Sequence, residues 1–170
     1  MKKLLYAAIV VFGLAISNAQ QVEFGATGGL LSVRASAEFE GNSASDSETG
    51  FYVGGVVDFS ISEKFHIQPE LVYANANGGN GLILPIMAKY YVSNGFNIQA
   101  GPQLDFSLEE VPDDFTGTGI SLAGGLGYDI DDNFFIEARY SFQLNDYYTG
   151  NLDVETSSNF LMVGVGYKFN

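Results

Sequence analysis

The sequence predicts an all-β protein, an eight-stranded, antiparallel, up-and-down transmembrane β-barrel. Apolar and polar residues alternate with a period of two, short turns alternate with longer polar connections, and no long apolar run follows the N-terminal segment. A period of two is the pattern of a strand with two different faces. Strands cross a membrane as a closed barrel, because every backbone N–H and C=O then has a partner.

Residues 1–19 have the features of a secretory signal peptide. A basic start, an apolar core and a small-residue cleavage site follow one another in Lys2-Lys3, Leu4–Ile16 and Ser17-Asn18-Ala19. The apolar core is shorter than the roughly 20 residues that a spanning helix needs. We therefore expect export and cleavage after Ala19, and a single barrel domain over residues 20–170.

The clearest alternation runs from Phe96 to Leu108, where large apolar residues and Pro102 occupy every even position and polar residues or glycine every odd one. Similar patterns follow Phe65 and Phe134. The eight strands are expected at about 22–33, 51–61, 65–73, 82–92, 96–108, 118–130, 134–144 and 159–169.

The connections between these strands differ in length. Three are tight turns, at 62–64, 93–95 and 131–133. Four are longer polar stretches, at 34–50, 75–81, 109–117 and 145–158. Short periplasmic turns and long extracellular loops are typical of barrels in the bacterial outer membrane, with both termini periplasmic.

Side-chain volume decides which face points outward. The apolar face carries many Phe, Tyr, Leu and Ile residues, and the interior of an eight-stranded barrel is only wide enough for a modest filling of side chains. The apolar face must therefore meet lipid, and the other face, which is small or polar, must line the lumen. Aromatic residues near both ends of the strands fit the two girdles of a spanning barrel.

Three segments of the chain resemble the PorT-like family of small outer-membrane barrels: 65–73 (FHIQPELVY), 84–91 (LPIMAKYY) and 95–104 (GFNIQAGPQL). The resemblance covers essentially the whole exported chain and implies a lipid-embedded barrel without an active site. Two features depart from the usual pattern. Phe169, the aromatic expected at the end for the barrel-assembly machinery, is penultimate, and Pro69, Pro85 and Pro102 fall inside strands, where the resemblance implies that bulges accommodate them.

Several charged residues fall on the face that lines the lumen: Glu23, Glu70, Lys89, Asp105, Glu137, Arg139 and Lys168. Buried charges are tolerated when they are paired. We interpret this lumen charge network as a polar plug. A path for protons or ions through the same residues is the alternative, although eight strands leave little free bore.

Strand pairing suggests which of these charges meet. Joining the third and fourth strands through their loop should place Glu70 diagonal to Lys89. Closing the sheet should bring Glu23 near Lys168 at the periplasmic end.

Other chemistry has little support in the sequence. His66 is the single histidine and is expected just after a periplasmic turn, far from the extracellular rim where a barrel-type lipid hydrolase would need it. The chain has no cysteine, so we expect no transition-metal site and no cofactor. Seven basic residues stand against twenty acidic ones, for a formal net charge of −13, which excludes nucleic acid binding through a basic patch.

The predicted loops are acidic: Glu38, Glu40, Asp46 and Glu48, then Glu109, Glu110, Asp113 and Asp114, then Asp146, Asp153 and Glu155. They are interpreted as solvated loop tips, with divalent-cation bridges to lipid phosphates or a protein or basic partner as alternatives. Phe115 and the pair Tyr147-Tyr148 are expected to be exposed contact residues. Three function classes remain: a non-enzymatic surface-interaction or structural protein, which we favour, a narrow pore, and a lipid-modifying enzyme.

Overall fold

The computed structural model describes residues 21–39, 42–112, 114–148, 150 and 154–169. Eight strands form one sheet: β1 (Gln21–Phe39), β2 (Asn42–Ser62), β3 (Phe65–Ala76), β4 (Gly79–Tyr91), β5 (Phe96–Ser107), β6 (Thr118–Asp129), β7 (Phe134–Gln143) and β8 (Val154–Phe169). Each strand pairs antiparallel with the next, and β1 pairs with β8, so the barrel is closed. The predicted fold is confirmed. The predicted signal peptide lies outside the described residues.

No helix in the described part of the chain is long and apolar enough to cross a membrane.

The outer surface of the barrel is a band of exposed apolar side chains, as the volume argument predicts. The end of the barrel with the short turns is the one that we expect to be periplasmic, and we call it the periplasmic end and the opposite one the extracellular end. At the periplasmic end, aromatic residues pair across neighbouring strands: Phe65 with Tyr90, Phe96 with Tyr128, and Phe134 with Tyr167. The rings of Phe134 and Tyr167 meet edge to face at 4.9 Å between centroids. Such pairs suit a lipid–water boundary, because each ring has an apolar body and the tyrosines also carry a polar tip.

The expected first loop, 34–50, is wrong. β1 and β2 stay paired as far as Phe39 and Asn42, and β8 pairs with β1 as far as Val154, so 154–158 also belongs to a strand. Three strands thus rise beyond the rest of the barrel as a raised sheet, formed by residues 32–39, 42–49 and 154–159. None of the described side chains of these residues is buried, so both faces of the raised sheet have a similar environment and the period-two signal disappears.

The expected second loop, 75–81, is also wrong. β3 and β4 are joined by a two-residue turn at Asn77 and Gly78, with φ of 46° and 88°. Positive φ at both positions is typical of the hairpin turn that Asn-Gly favours. Extended connections remain only after β5 and β7.

The three strand prolines occupy paired positions: Pro69 faces Ile86, Pro85 faces Gln103 and Pro102 faces Leu122. The expected bulges do not occur at these prolines. The register shift between β2 and β3 lies at Ser60 and Ser62, beside a periplasmic turn.

The lumen is less polar than its predicted small-or-polar face. Its extracellular half contains an apolar cluster of Leu31, Tyr52, Val72, Ala74, Ile83 and Met162, all of them buried. These side chains come from β1, β2, β3, β4 and β8. The alternation places them inward, and their mutual packing fills one side of the bore.

Candidate functional site

An ion pair across the lumen occupies the middle of the barrel. Arg139 on β7 reaches Glu70 on β3, the diametrically opposite strand, and donates two hydrogen bonds, of which Nη1 to Glu70 Oε2 is 2.8 Å. Its Nη2 lies 2.5 Å from Glu137 Oε2, and its Nε donates to Gln99 Oε1 at 2.9 Å. All four side chains are buried. The guanidinium therefore ties three strands together through the centre of the bore.

The expected meeting of Glu70 with Lys89 is wrong. The register places Lys89 opposite His66, and Glu70 lies four residues further along β3. Glu70 turns to Arg139 instead, a contact that local strand pairing does not reveal.

A second group of charges lies at the periplasmic end around Asp58, a residue that the sequence analysis missed. Asp58 Oδ1 lies 2.6 Å from His66 Nδ1. Its Oδ2 is 3.6 Å from Lys89 Nζ and 3.8 Å from Lys168 Nζ. Asp58 is fully buried, and its even position beside Val56 and Gly54 on β2 was the signal that could have found it.

Lys168 connects this group to the periplasmic rim. Its Nζ lies 3.0 Å from Glu23 Oε2 and 3.7 Å from Asp129 Oδ2. Tyr91 donates to Asp129 Oδ2 at 2.8 Å. The closure of β1 onto β8 brings these groups together.

Gln68 joins the two charged groups into one chain of contacts. Lys89 Nζ donates to Gln68 Oε1 at 2.9 Å, and Gln68 Nε2 donates to Glu70 Oε1 at 2.6 Å. We call this connected set the charged plug: Glu23, Asp58, Gln68, Glu70, Lys89, Glu137, Arg139 and Lys168. It extends from the periplasmic rim to the middle of the barrel and fills that part of the lumen with fixed side chains.

The surroundings of His66 bear on the enzymatic alternative. Ser60 Oγ and Asp58 Oδ1 lie near His66, at 3.4 Å and 2.6 Å, but both face the same ring nitrogen, Nδ1. A nucleophile–base–acid relay needs the carboxylate on one ring nitrogen and the hydroxyl on the other. The geometry does not provide that relay, and the group lies at the periplasmic end.

Asp105 belongs to a different environment at the extracellular mouth. It is buried, and it accepts hydrogen bonds from Tyr147 Oη at 2.5 Å and Ser121 Oγ at 3.3 Å. Within the described ranges no ion pair joins it to a basic residue, so it stands apart from the charged plug. Gly119, its partner on β6, leaves room for the carboxylate and for the Tyr147 hydroxyl, and a side chain at this position would displace both groups.

The connection after β7 folds over this mouth. Tyr147, expected to be exposed, points its hydroxyl inward, and burial together with the Asp105 charge raises the pKa of this phenol well above its usual value. Its backbone oxygen accepts from Thr116 N at 2.8 Å. The Tyr148 ring meets Phe115 edge to face at 5.3 Å, while Phe115 stays 41% exposed.

The acidic residues of the extracellular side are dispersed. Asp46, Glu109, Glu110, Asp114 and Asp146 are exposed. Glu40, Asp113 and Asp153 lie outside the described residues, as do the side chains of Glu38 and Glu155. Among the side chains that are described, no group of three or more His, Asp or Glu residues is arranged to hold a metal ion.

Comparisons with solved structures find other small barrels. OprG of Pseudomonas aeruginosa is 16% identical, with a TM-score of 0.47, over 90% of this chain and 98% of that one. Ail of Yersinia pestis is 14% identical, with a TM-score of 0.49, over 86% and 99%. Neisserial surface protein A is 18% identical, with a TM-score of 0.47, over 88% and 100%.

No curated protein sequence is significantly similar to this chain. A family model described as "Outer membrane protein beta-barrel domain" matches residues 4–169, nearly the full length. The chain therefore belongs to the outer membrane protein β-barrel domain family and resides in the bacterial outer membrane.

Proposed function

We propose that this protein is a non-enzymatic surface-interaction protein, in which the plugged barrel is the lipid anchor and the raised sheet with its neighbouring loops meets partners outside the cell. The raised sheet is the observation that carries this proposal. Its eight-residue β1 segment spans roughly 25 Å along the strand, far more than a turn would need to reverse the chain.

The two edges of the raised sheet differ. The β8 edge is covered by side chains, since Gln143 Oε1 accepts from Ser158 N at 2.5 Å and Asp146 Oδ1 accepts from Thr156 N at 3.0 Å. In the part of the chain that the structure describes, no strand covers the β2 edge, because the pairing of β2 with β3 begins only at Gly50. An uncovered edge offers backbone donors and acceptors to an extended partner.

Charge gives the chemistry of that partner. Arg34 is the one basic residue between Gln21 and Lys64, whereas this part of the chain and the extracellular connections hold many acidic residues. Asp46 lies on the uncovered strand itself. A basic protein segment or divalent cations therefore suit the surface better than an anionic partner.

The charged plug supports an anchor rather than a pore. Passage of an ion through the lumen would have to break the Arg139–Glu70 pair, and separating a buried pair costs several kcal/mol. We expect the purified protein to give no porin-like conductance in planar bilayers. A stable conductance of that kind would favour the pore instead.

The route to the membrane is part of the same proposal. Residues 1–19 act as a cleaved signal, the barrel-assembly machinery inserts the chain, and the protein groups with PorT-like barrels. N-terminal sequencing of the protein from outer membranes should begin at Gln20.

The surface role is tested with single cysteines, since the chain has none of its own. Ser47→Cys on the raised sheet should react with a membrane-impermeant maleimide on intact cells, and Glu63→Cys in a periplasmic turn should react only after permeabilisation. A photo-crosslinking residue in place of Ser47 should then give a discrete adduct. The same residue in place of Asn94, in the turn at 93–95 at the other end of the barrel, is the control and should not give that adduct. Labelling of Glu63→Cys alone, or no adduct specific to position 47, contradicts the proposal.

A further inference from the structure

A cavity opens at the extracellular mouth of the lumen, above the apolar cluster. Its volume is about 220 Å³, and its apolar walls include Leu31, Val33, Ala76, Ile83 and Phe160. Asp105 and Tyr147 form its polar side. We propose that this cavity binds a small organic ammonium ion, with the charged nitrogen on Asp105 and the apolar body against these walls.

The charge of Asp105 defines the polar end of the ligand. The acidic groups of the charged plug have Lys168, Lys89 or Arg139 as partners, but Asp105 is joined to no basic residue in the described ranges. Two hydroxyl groups hold the carboxylate in place, and a carboxylate has acceptor sites beyond those two. An ammonium group fits those remaining sites and supplies the missing positive charge.

The rim of the cavity also favours a positively charged ligand. Glu48 and Glu109 both line it, and each accepts a hydrogen bond from an asparagine, Asn77 and Asn80 respectively, at 2.9 Å and 2.8 Å. None of the described residues that line the cavity is basic. An anionic ligand would meet three carboxylates at this mouth, whereas a cation is attracted to it.

The volume and the apolar walls define the body of the ligand. A cavity of about 150 Å³ is enough for a benzene ring in another protein, so 220 Å³ accommodates a ring with a two-carbon aminoethyl arm. Amines of this size with an aromatic or short branched alkyl body form the ligand class. Glu48 on the uncovered part of β2 belongs to the rim, but the carboxylate that holds the ammonium group is Asp105 on β5, so binding of the amine does not depend on the proposed surface role.

The test uses the whole exported barrel in nanodiscs of zwitterionic lipid, with 2-phenylethylamine as the probe and 2-phenylethanol as its uncharged match. Calorimetry should show saturable binding of the amine, about tenfold or more tighter than that of the alcohol, because a hydrogen bond to a charged group is worth about 1.5–3 kcal/mol. Titration should also shift the NMR signal of the Ile83 methyl group.

Three variants assign the site. Asp105→Asn should remove the preference for the amine, while Glu63→Gln, an equal charge change in a periplasmic turn, should leave it intact. Ala76→Leu should weaken binding of both probes because it fills the cavity while keeping the carboxylate. Gel migration with and without boiling checks that each variant is folded. Equal binding of amine and alcohol, a preference that survives in Asp105→Asn, or no saturable amine binding overturns the proposal.

Discussion

The two halves of the lumen are filled by different kinds of side chain. The periplasmic half is filled by the charged plug, in which buried ions compensate one another through contacts that cross the barrel. The extracellular half is filled by the apolar cluster and leaves a cavity into which the buried carboxylate of Asp105 faces without a basic partner among the described residues. The plug links opposite strands through the lumen, while the mouth contains the cavity to which we assign the ammonium site. We therefore expect substitutions that remove a charge to lower stability mainly in the periplasmic half of the lumen, and substitutions that change side-chain volume to lower it mainly in the extracellular half.

The largest effect is expected for Arg139→Met. The change leaves Glu70 and Glu137 buried without their shared cation, and removal of one partner of a buried ion pair costs about 3–5 kcal/mol. Urea titration of the detergent-solubilised barrel, followed by the heat-sensitive gel shift, measures the loss of unfolding free energy. The triple change with Glu70→Gln and Glu137→Gln should recover much of it. If Arg139→Met alone lowers the unfolding free energy by less than about 1 kcal/mol, the charged plug does not stabilise the barrel as we expect.

Asp58→Asn should have the next largest effect, about 2 kcal/mol, because the buried Lys89 loses the carboxylate of its ion pair and keeps the neutral Gln68 as hydrogen-bond acceptor, while Lys168 keeps Glu23 and Asp129. The same urea titration measures it. Glu63→Gln, at an exposed turn position, is the control and should leave stability unchanged.

Ile83→Val tests the apolar half. It removes one buried methylene from the apolar cluster without changing any charge, and such a deletion typically costs about 1 kcal/mol. Ile86→Val on the lipid-facing side of the same strand is the matched control and should cost less, since lipid fills the space left by the methylene. Equal losses would argue that the cluster is loosely packed.

The smallest effect on stability is expected for Asp105→Asn. No cation in the described residues loses its partner, and the amide oxygen of Asn accepts from one of the hydroxyls of Tyr147 and Ser121 while its NH2 group donates to the oxygen of the other, so the unfolding free energy should change by less than about 1 kcal/mol. Comparison with Asp58→Asn under identical conditions sharpens the contrast. A loss as large as that of Asp58→Asn would place Asp105 among the structural charges.

Local patterns predicted most of the barrel within a few residues, including the strands that begin at Phe65, Phe96 and Phe134. The turn at Asn77-Gly78 was available to the same reasoning, because that dipeptide favours two-residue hairpins, and it was missed. The raised sheet could not be predicted from local patterns, since strands that are exposed on both faces show no alternation of hydropathy.

The sequence could predict which residues of the charged plug point into the lumen, but not which of them contact one another. Inward positions follow from alternation, which placed Arg139 and Glu70 in the lumen, and the same rule applied to β2 would have added Asp58. Which charges form ion pairs could not be predicted from strand pairing. Arg139 on β7 and Glu70 on β3 lie on opposite sides of the barrel, and β3 and β7 share no neighbouring strand.

Period-two alternation records the environment on each side of a strand, and it was therefore enough to predict the number of strands, the face of each that meets lipid and the outer-membrane character of the protein. The three-dimensional fold was needed to learn which buried charges meet, where the sheet rises beyond the barrel and where the mouth leaves a cavity. Those features depend on how the sheet closes, and closure brings together side chains that are distant along the chain.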